Sequence, residues 1–124
     1  MGEKVPKSVQ EILADLTATE GVLGSALIGF DGITIAENFV VEVNDEKLGA
    51  LLSSVYNRLQ DVFGELRQGN VRQAWFETER YVFVMRSTPV GLLVAVGRHE
   101  APVGLIHLSM RKAVGEVEKL DRRT

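Results

Sequence analysis

Residues 21–36 constrain the fold more than any other part of the chain: Gly21-Val22-Leu23-Gly24-Ser25-Ala26-Leu27-Ile28-Gly29-Phe30-Asp31-Gly32-Ile33-Thr34-Ile35-Ala36. Asp31-Gly32 stands between two runs rich in Val, Leu and Ile. Glycine takes the positive φ that a tight hairpin turn demands, so the block predicts two antiparallel strands. Upstream, Val9, Ile12, Leu13 and Leu16 recur at helical spacing behind Pro6 and Ser8, which predicts a short helix over residues 7–17. Downstream, Asn44 and Asp45 are N-cap candidates for a long helix over residues 46–66, stopped by Gln68-Gly69-Asn70.

Three strands follow. Residues 71–78 alternate, with Val71, Gln73, Trp75 and Glu77 on one side and Arg72, Ala74, Phe76 and Thr78 on the other. Residues 80–87 and 91–97 are apolar on both faces, the pattern of central strands covered by helices on each side. Val103, Ile106, Met110, Ala113, Val114, Val117 and Leu120 make one stripe of a last helix that starts near Pro102. Only the charged tail, residues 121–124, is expected to fray. The order α-β-β-α-β-β-β-α predicts a single α+β domain over residues 1–124, an α/β sandwich of a five-stranded antiparallel sheet with helices on both faces.

The opening hairpin also resembles that of the Roadblock / dynein light chain family, whose pattern runs G-V-x-G-x-x-L-x-x-x-D-G-x-x-I-A. Gly21, Val22, Gly24, Leu27, Asp31, Gly32, Ile35 and Ala36 match it. The 91–96 strand is similar to the central strand of that family, and Pro102-Val103-Gly104-Leu105 to the entry of its last helix. Within that family the chain resembles the bacterial MglB-type regulators of small Ras-like GTPases. The resemblance implies a homodimer that presents paired long helices to such a GTPase and changes its nucleotide cycle, by activating hydrolysis or promoting exchange without catalytic residues of its own.

Bulk composition removes several function classes. Seventeen acidic against fourteen basic residues, the basic ones scattered, predict no strong electrostatic attraction to nucleic acid or anionic lipid. No cysteine and only His99 and His107 leave neither a disulfide framework nor a His-based metal cage. Residues 1–6 lack the apolar core of a signal peptide, Pro6 stands where myristoylation needs Ser or Thr, and no apolar run spans a bilayer, so a cytoplasmic chain without membrane insertion is expected.

Chemistry is equally sparse. There is no phosphate-binding glycine loop, so no cofactor is expected, and no serine stands in a triad context. Glu77 and Glu79 are read as solvated carboxylates. Arg58, Arg67 and Arg72 are read as surface ion-pairing residues rather than as an arginine finger.

The long helix carries the partner signal. Leu48, Leu51, Leu52, Val55, Leu59, Val62, Phe63 and Leu66 predict a core stripe, and the face opposite holds the short side chains Ala50, Ser53, Ser54, Asn57, Asp61 and Gly64. That face is either an ordinary solvated surface or the seat of another helix. Gly64 favours the second, because a glycine inside an exposed helix costs roughly 1 kcal/mol against alanine. The 71–78 strand has the polar ends of a sheet edge, and an uncovered edge is a pairing site, although Trp75 also suits a half-buried core position. Ala50, Ser54, Asn57, Asp61, Gly64, Arg72, Ala74 and Phe76 are therefore the expected dimer contacts. Ser53, Ser54, Asn57, Arg58 and Asp61 are the expected GTPase contacts. A structural adaptor without nucleotide-dependent binding is the alternative, and a small-ligand sensor or enzyme would need a deep polar pocket.

Overall fold

The structure is a computed structural model and describes residues 7–123. The expectations placed on residues 1–6, including Pro6, and on Thr124 lie outside these residues. Helix α1 (Val9–Thr17) is opened by Ser8, whose Oγ accepts from the Glu11 amide at 3.1 Å while the Glu11 carboxylate accepts from the Ser8 amide. This reciprocal pair satisfies two amides that a helix start leaves without partners. Strands β1 (Val22–Ile28) and β2 (Thr34–Phe39) form the expected hairpin. Its turn is wider than a two-residue turn. Residues 29–33 close on the Gly32 amide bonded to the Gly29 carbonyl and the Ile33 amide bonded to Asp31 Oδ1, with Gly32 at φ 89°.

Helix α2 (Asp45–Glu65) is capped by the Asn44 side chain, which accepts from the Lys47 amide, and the chain leaves it through Arg67 at φ 55° and Gly69 at φ 89°. Strands β3 (Gln73–Glu77), β4 (Tyr81–Thr88) and β5 (Gly91–Arg98) follow, then helix α3 (Val103–Arg123), which includes residues 121–123 of the tail expected to fray. The sheet order is β2-β1-β5-β4-β3 with every pair antiparallel, so β3 lies at an edge as expected.

Strand alternation divides the core into two layers. Leu93 and Ala95 of β5, with Leu27, Val82 and Val84, pack under Ile12, Leu13 and Leu16 of α1 and Ile106, Met110 and Val117 of α3. Leu92, Val94 and Val96 face the opposite way, and with Ala26, Ile28 and Met85 they pack against Leu52 and Tyr56 of α2. The stripes read in the first and last helices are thus the ones that are buried. Gly91 sits where β5 passes β1, and a side chain there would come within 2.3 Å of the Ile28 carbonyl oxygen.

The stripe predicted for α2 is corrected. Leu52 is buried and Leu48 and Leu59 are half-buried, but Leu51, Val55, Val62, Phe63 and Leu66 are exposed. In their place the helix buries Gly49, Ser53 and Tyr56. Hydrophobic periodicity gives a direction around a helix axis but not what covers it, and here the apolar arc is wider than the strip of sheet beneath it.

Candidate functional site

The junction of α2 with the hairpin loop is built from small residues. A β-carbon on Gly49 would lie 2.8 Å from the Gly32 carbonyl oxygen, and one on Gly32 would lie 2.9 Å from Ser53 Oγ. Helix and loop therefore meet at backbone contact. Beside them Phe30 packs on Tyr56 with ring centroids 5.8 Å apart, and the Tyr56 hydroxyl donates to the Val71 carbonyl at 3.1 Å. Gln60 accepts from the Val71 amide. These contacts hold the first part of α2 to the sheet.

Beyond them the helix stands free. Every residue from 61 to 70 is exposed, Val62 at 44% and Leu66 at 58% among them. At 100° per residue, Leu51, Val55, Val62 and Leu66 fall within about 60° of one another, on the flank turned away from Gly49 and Ser53. On that side Leu48 shares a hollow of about 290 Å³ with Tyr81, Phe83 and Val96. Phe83 in turn stacks on Phe76 at 5.2 Å. Leu48, Phe83 and Phe76 share the α2 face of the sheet, and with the hollow they form an apolar trough beside α2 that reaches the open edge at β3. Exposed apolar residues thus cluster on this side of α2.

The expected partner residues converge in part. Ser53, Ser54, Asn57, Arg58 and Asp61 line one open depression of about 890 Å³ together with Phe30 and Asp31 of the hairpin loop. Ser53, only 5% exposed, forms its floor rather than a contact surface. Phe30 and Asp31 were missed as lining residues, although the Asp31-Gly32 turn already singled out their loop. Of the expected dimer residues, Ala50, Ser54, Asn57, Asp61, Gly64 and Arg72 are exposed, while Ala74 and Phe76 are half-buried against the α2 layer. Gly64 has nothing within 4 Å of a built β-carbon.

On the other face, Gln73 Nε2 lies 3.4 Å from His107 Nδ1, and Trp75 meets the His107 ring edge-on at 5.6 Å. Trp75 is 47% exposed. Glu77, Glu79 and His99 are exposed, and Arg58, Arg67 and Arg72 form no ion pair among the described residues, against the expected surface pairing. No group of three or more His, Asp or Glu able to hold a metal is found among the described residues. No described helix is long and apolar enough to cross a membrane.

Residues 8–97 match the sequence pattern of the Roadblock/LC7 domain, an extent that covers more than half of the chain. The chain belongs to the Roadblock/LC7 family. Its fold is shared by MglB of Myxococcus xanthus, with a TM-score of 0.85 at 16% identity over 95% of this chain and 100% of that one. The gliding protein MglB of Thermus thermophilus gives a TM-score of 0.83 at 18% identity over 94% of this chain and 90% of that one. In sequence, the uncharacterized protein MJ0310 of Methanocaldococcus jannaschii is 28% identical over 112 residues, 90% of this chain and 98% of that protein. In this Roadblock/LC7 domain the hairpin motif has a structural role: Asp31 and Gly32 shape the loop on which α2 rests.

Proposed function

We propose that this Roadblock/LC7 domain is a homodimeric regulator of a small Ras-like GTPase, acting through surfaces and not through catalytic residues of its own. The observation that carries the reading is the apolar trough beside α2 that reaches the β3 edge. Five large apolar residues of α2 and its C-cap stand in water, and a second α2 laid along the trough beside an edge-paired β3 would cover them. Burial of apolar area, at about 25 cal/mol per Å², would contribute to such a contact against the entropy of association.

This assignment places the second copy on Leu51, Val55, Val62 and Leu66, with Ala74 and Phe76, and leaves the short-chain face of Ala50, Ser54, Asn57 and Asp61 outward. That face, with Arg58, Phe30 and Asp31, is the platform proposed for the GTPase. The likeness in fold to MglB supports the reading.

A regulator must discriminate between the two nucleotide states, because a ligand that binds both equally shifts neither. Calorimetric titration against a small Ras-like GTPase encoded beside this chain, loaded with GDP or with a non-hydrolysable GTP analogue, tests this. At least a tenfold preference is expected, about 1.4 kcal/mol. Equal affinities would reduce the protein to an adaptor, and absence of binding to either form would remove the GTPase reading.

A further inference from the structure

A second groove, of about 420 Å³, runs between the β3–β4 ribbon and α3, and its polar lining is Gln73, Arg86, His107 and Arg111. Two guanidinium groups, an imidazole and an amide converge there without a carboxylate. Arg86 Nε is buried and has no hydrogen-bond partner among the described residues, and neither arginine forms an ion pair with them. A buried donor left unmade is costly, and more so when it is charged. The lining of the groove therefore suits an oxyanion.

The ladder of β3 says where that oxyanion comes from. The Ser87 amide bonds to the Arg72 carbonyl and the Thr78 amide to the Tyr81 carbonyl. Even-numbered residues of β3 thus bond inward to β4, and by alternation Gln73, Trp75 and Glu77 turn their amides and carbonyls to the open edge. Their side chains lie on the α3 face, as the contacts of Gln73 and Trp75 with His107 show.

In a twofold antiparallel pairing, opposed residues share a face, so one residue must oppose its own copy. With Trp75 on the axis, Gln73 opposes Glu77 and all three outward residues are paired. With Ala74 or Phe76 on the axis, one of them faces a residue beyond the strand. The first register makes the most bonds, and it also sets Glu77 of the second copy beside Gln73, which is itself paired with Arg86. Glu77 is exposed and has no hydrogen bond or ion pair among the described residues.

We propose that two copies pair β3 to β3 with Trp75 on the twofold axis, and that the Glu77 carboxylate of each enters the Arg86–His107–Arg111 groove of the other. The inference deepens the dimer reading above and rests on it. It makes the groove a register lock, since a slip of two residues withdraws the carboxylate from both grooves.

The chain has no cysteine, so single cysteines report the register directly. Gln73→Cys chains mixed with Glu77→Cys chains should form the mixed disulfide, whose Cα atoms must approach within about 4.4–6.8 Å, while neither variant links to itself. A Gln73→Cys to Trp75→Cys link in its place would overturn the register. Glu77→Gln, at an exposed position, should weaken association at least tenfold and flatten its salt dependence. Glu77→Arg should weaken it further, and adding Arg86→Glu to Glu77→Arg should recover part of that loss, Arg111 being still in the groove; no recovery would overturn the pairing of positions 77 and 86. An unchanged dissociation constant for Glu77→Gln would overturn the ion pair and leave the dimer intact, whereas a wild-type monomer would overturn the dimer reading itself.

Discussion

Gly49 of α2 lies so close to Gly32 of the hairpin loop that a β-carbon on Gly49 would stand 2.8 Å from the Gly32 carbonyl oxygen. Because the obstacle is backbone and not a movable side chain, Gly49→Ala should destabilise the fold by about 1–3 kcal/mol through overpacking. Gly115, inside α3, has nothing within 4 Å of a built β-carbon, so Gly115→Ala should stabilise by about 0.5–1 kcal/mol. Urea denaturation of the two variants should move the midpoint in opposite directions. The same sign for both would contradict the contact.

A buried hydroxyl pair makes the second prediction. Ser25 Oγ donates to the Leu13 carbonyl at 2.9 Å and lies 2.8 Å from Thr17 Oγ1, which bonds to the Asn38 carbonyl. The network ties α1 to both strands of the hairpin. Ser25→Ala removes the bond to the Leu13 carbonyl and the contact with Thr17, and should cost about 0.5–1.5 kcal/mol, measured as a lowered midpoint at unchanged denaturant slope.

Much of this architecture was legible in the sequence and part of it was not. The stripes of α1 and α3 each face a single layer, so spacing alone identifies Leu13, Leu16, Ile106 and Met110 as core. The central position of β5 follows from an apolar run with no polar side. In α2 the pattern fails for a physical reason: one continuous apolar arc serves both its own sheet and open water. Tyr56, whose hydroxyl needs the Val71 carbonyl, and the small residues Gly49 and Ser53 take the inward positions. A glycine in α2 together with the glycine of the Asp31-Gly32 turn was the available signal for a backbone-to-backbone junction.

Charge placed on the free flank of α2 should separate association from folding. Val62→Asp with Leu66→Asp adds two carboxylates at positions exposed in the single chain, so circular dichroism and thermal stability at high dilution should be unchanged. Sedimentation equilibrium should show association weakened by about 2 kcal/mol or more, the scale of a central interface residue. Unchanged association would move the second copy to another surface.

Trp75 is the only tryptophan and stands half-exposed at the open edge, against the His107 ring. Pairing across β3 takes its indole out of water. The emission maximum should therefore shift to the red on dilution, with the midpoint seen by sedimentation. A maximum that does not change with concentration would mean that the β3 edge stays open.

All of these surfaces presuppose that the chain works in pairs, and its mass in solution tests that most directly. Light scattering behind size exclusion at micromolar concentration should give twice the 13.7 kDa of one chain. A single-chain mass under those conditions, with the fold intact by circular dichroism, would contradict the account.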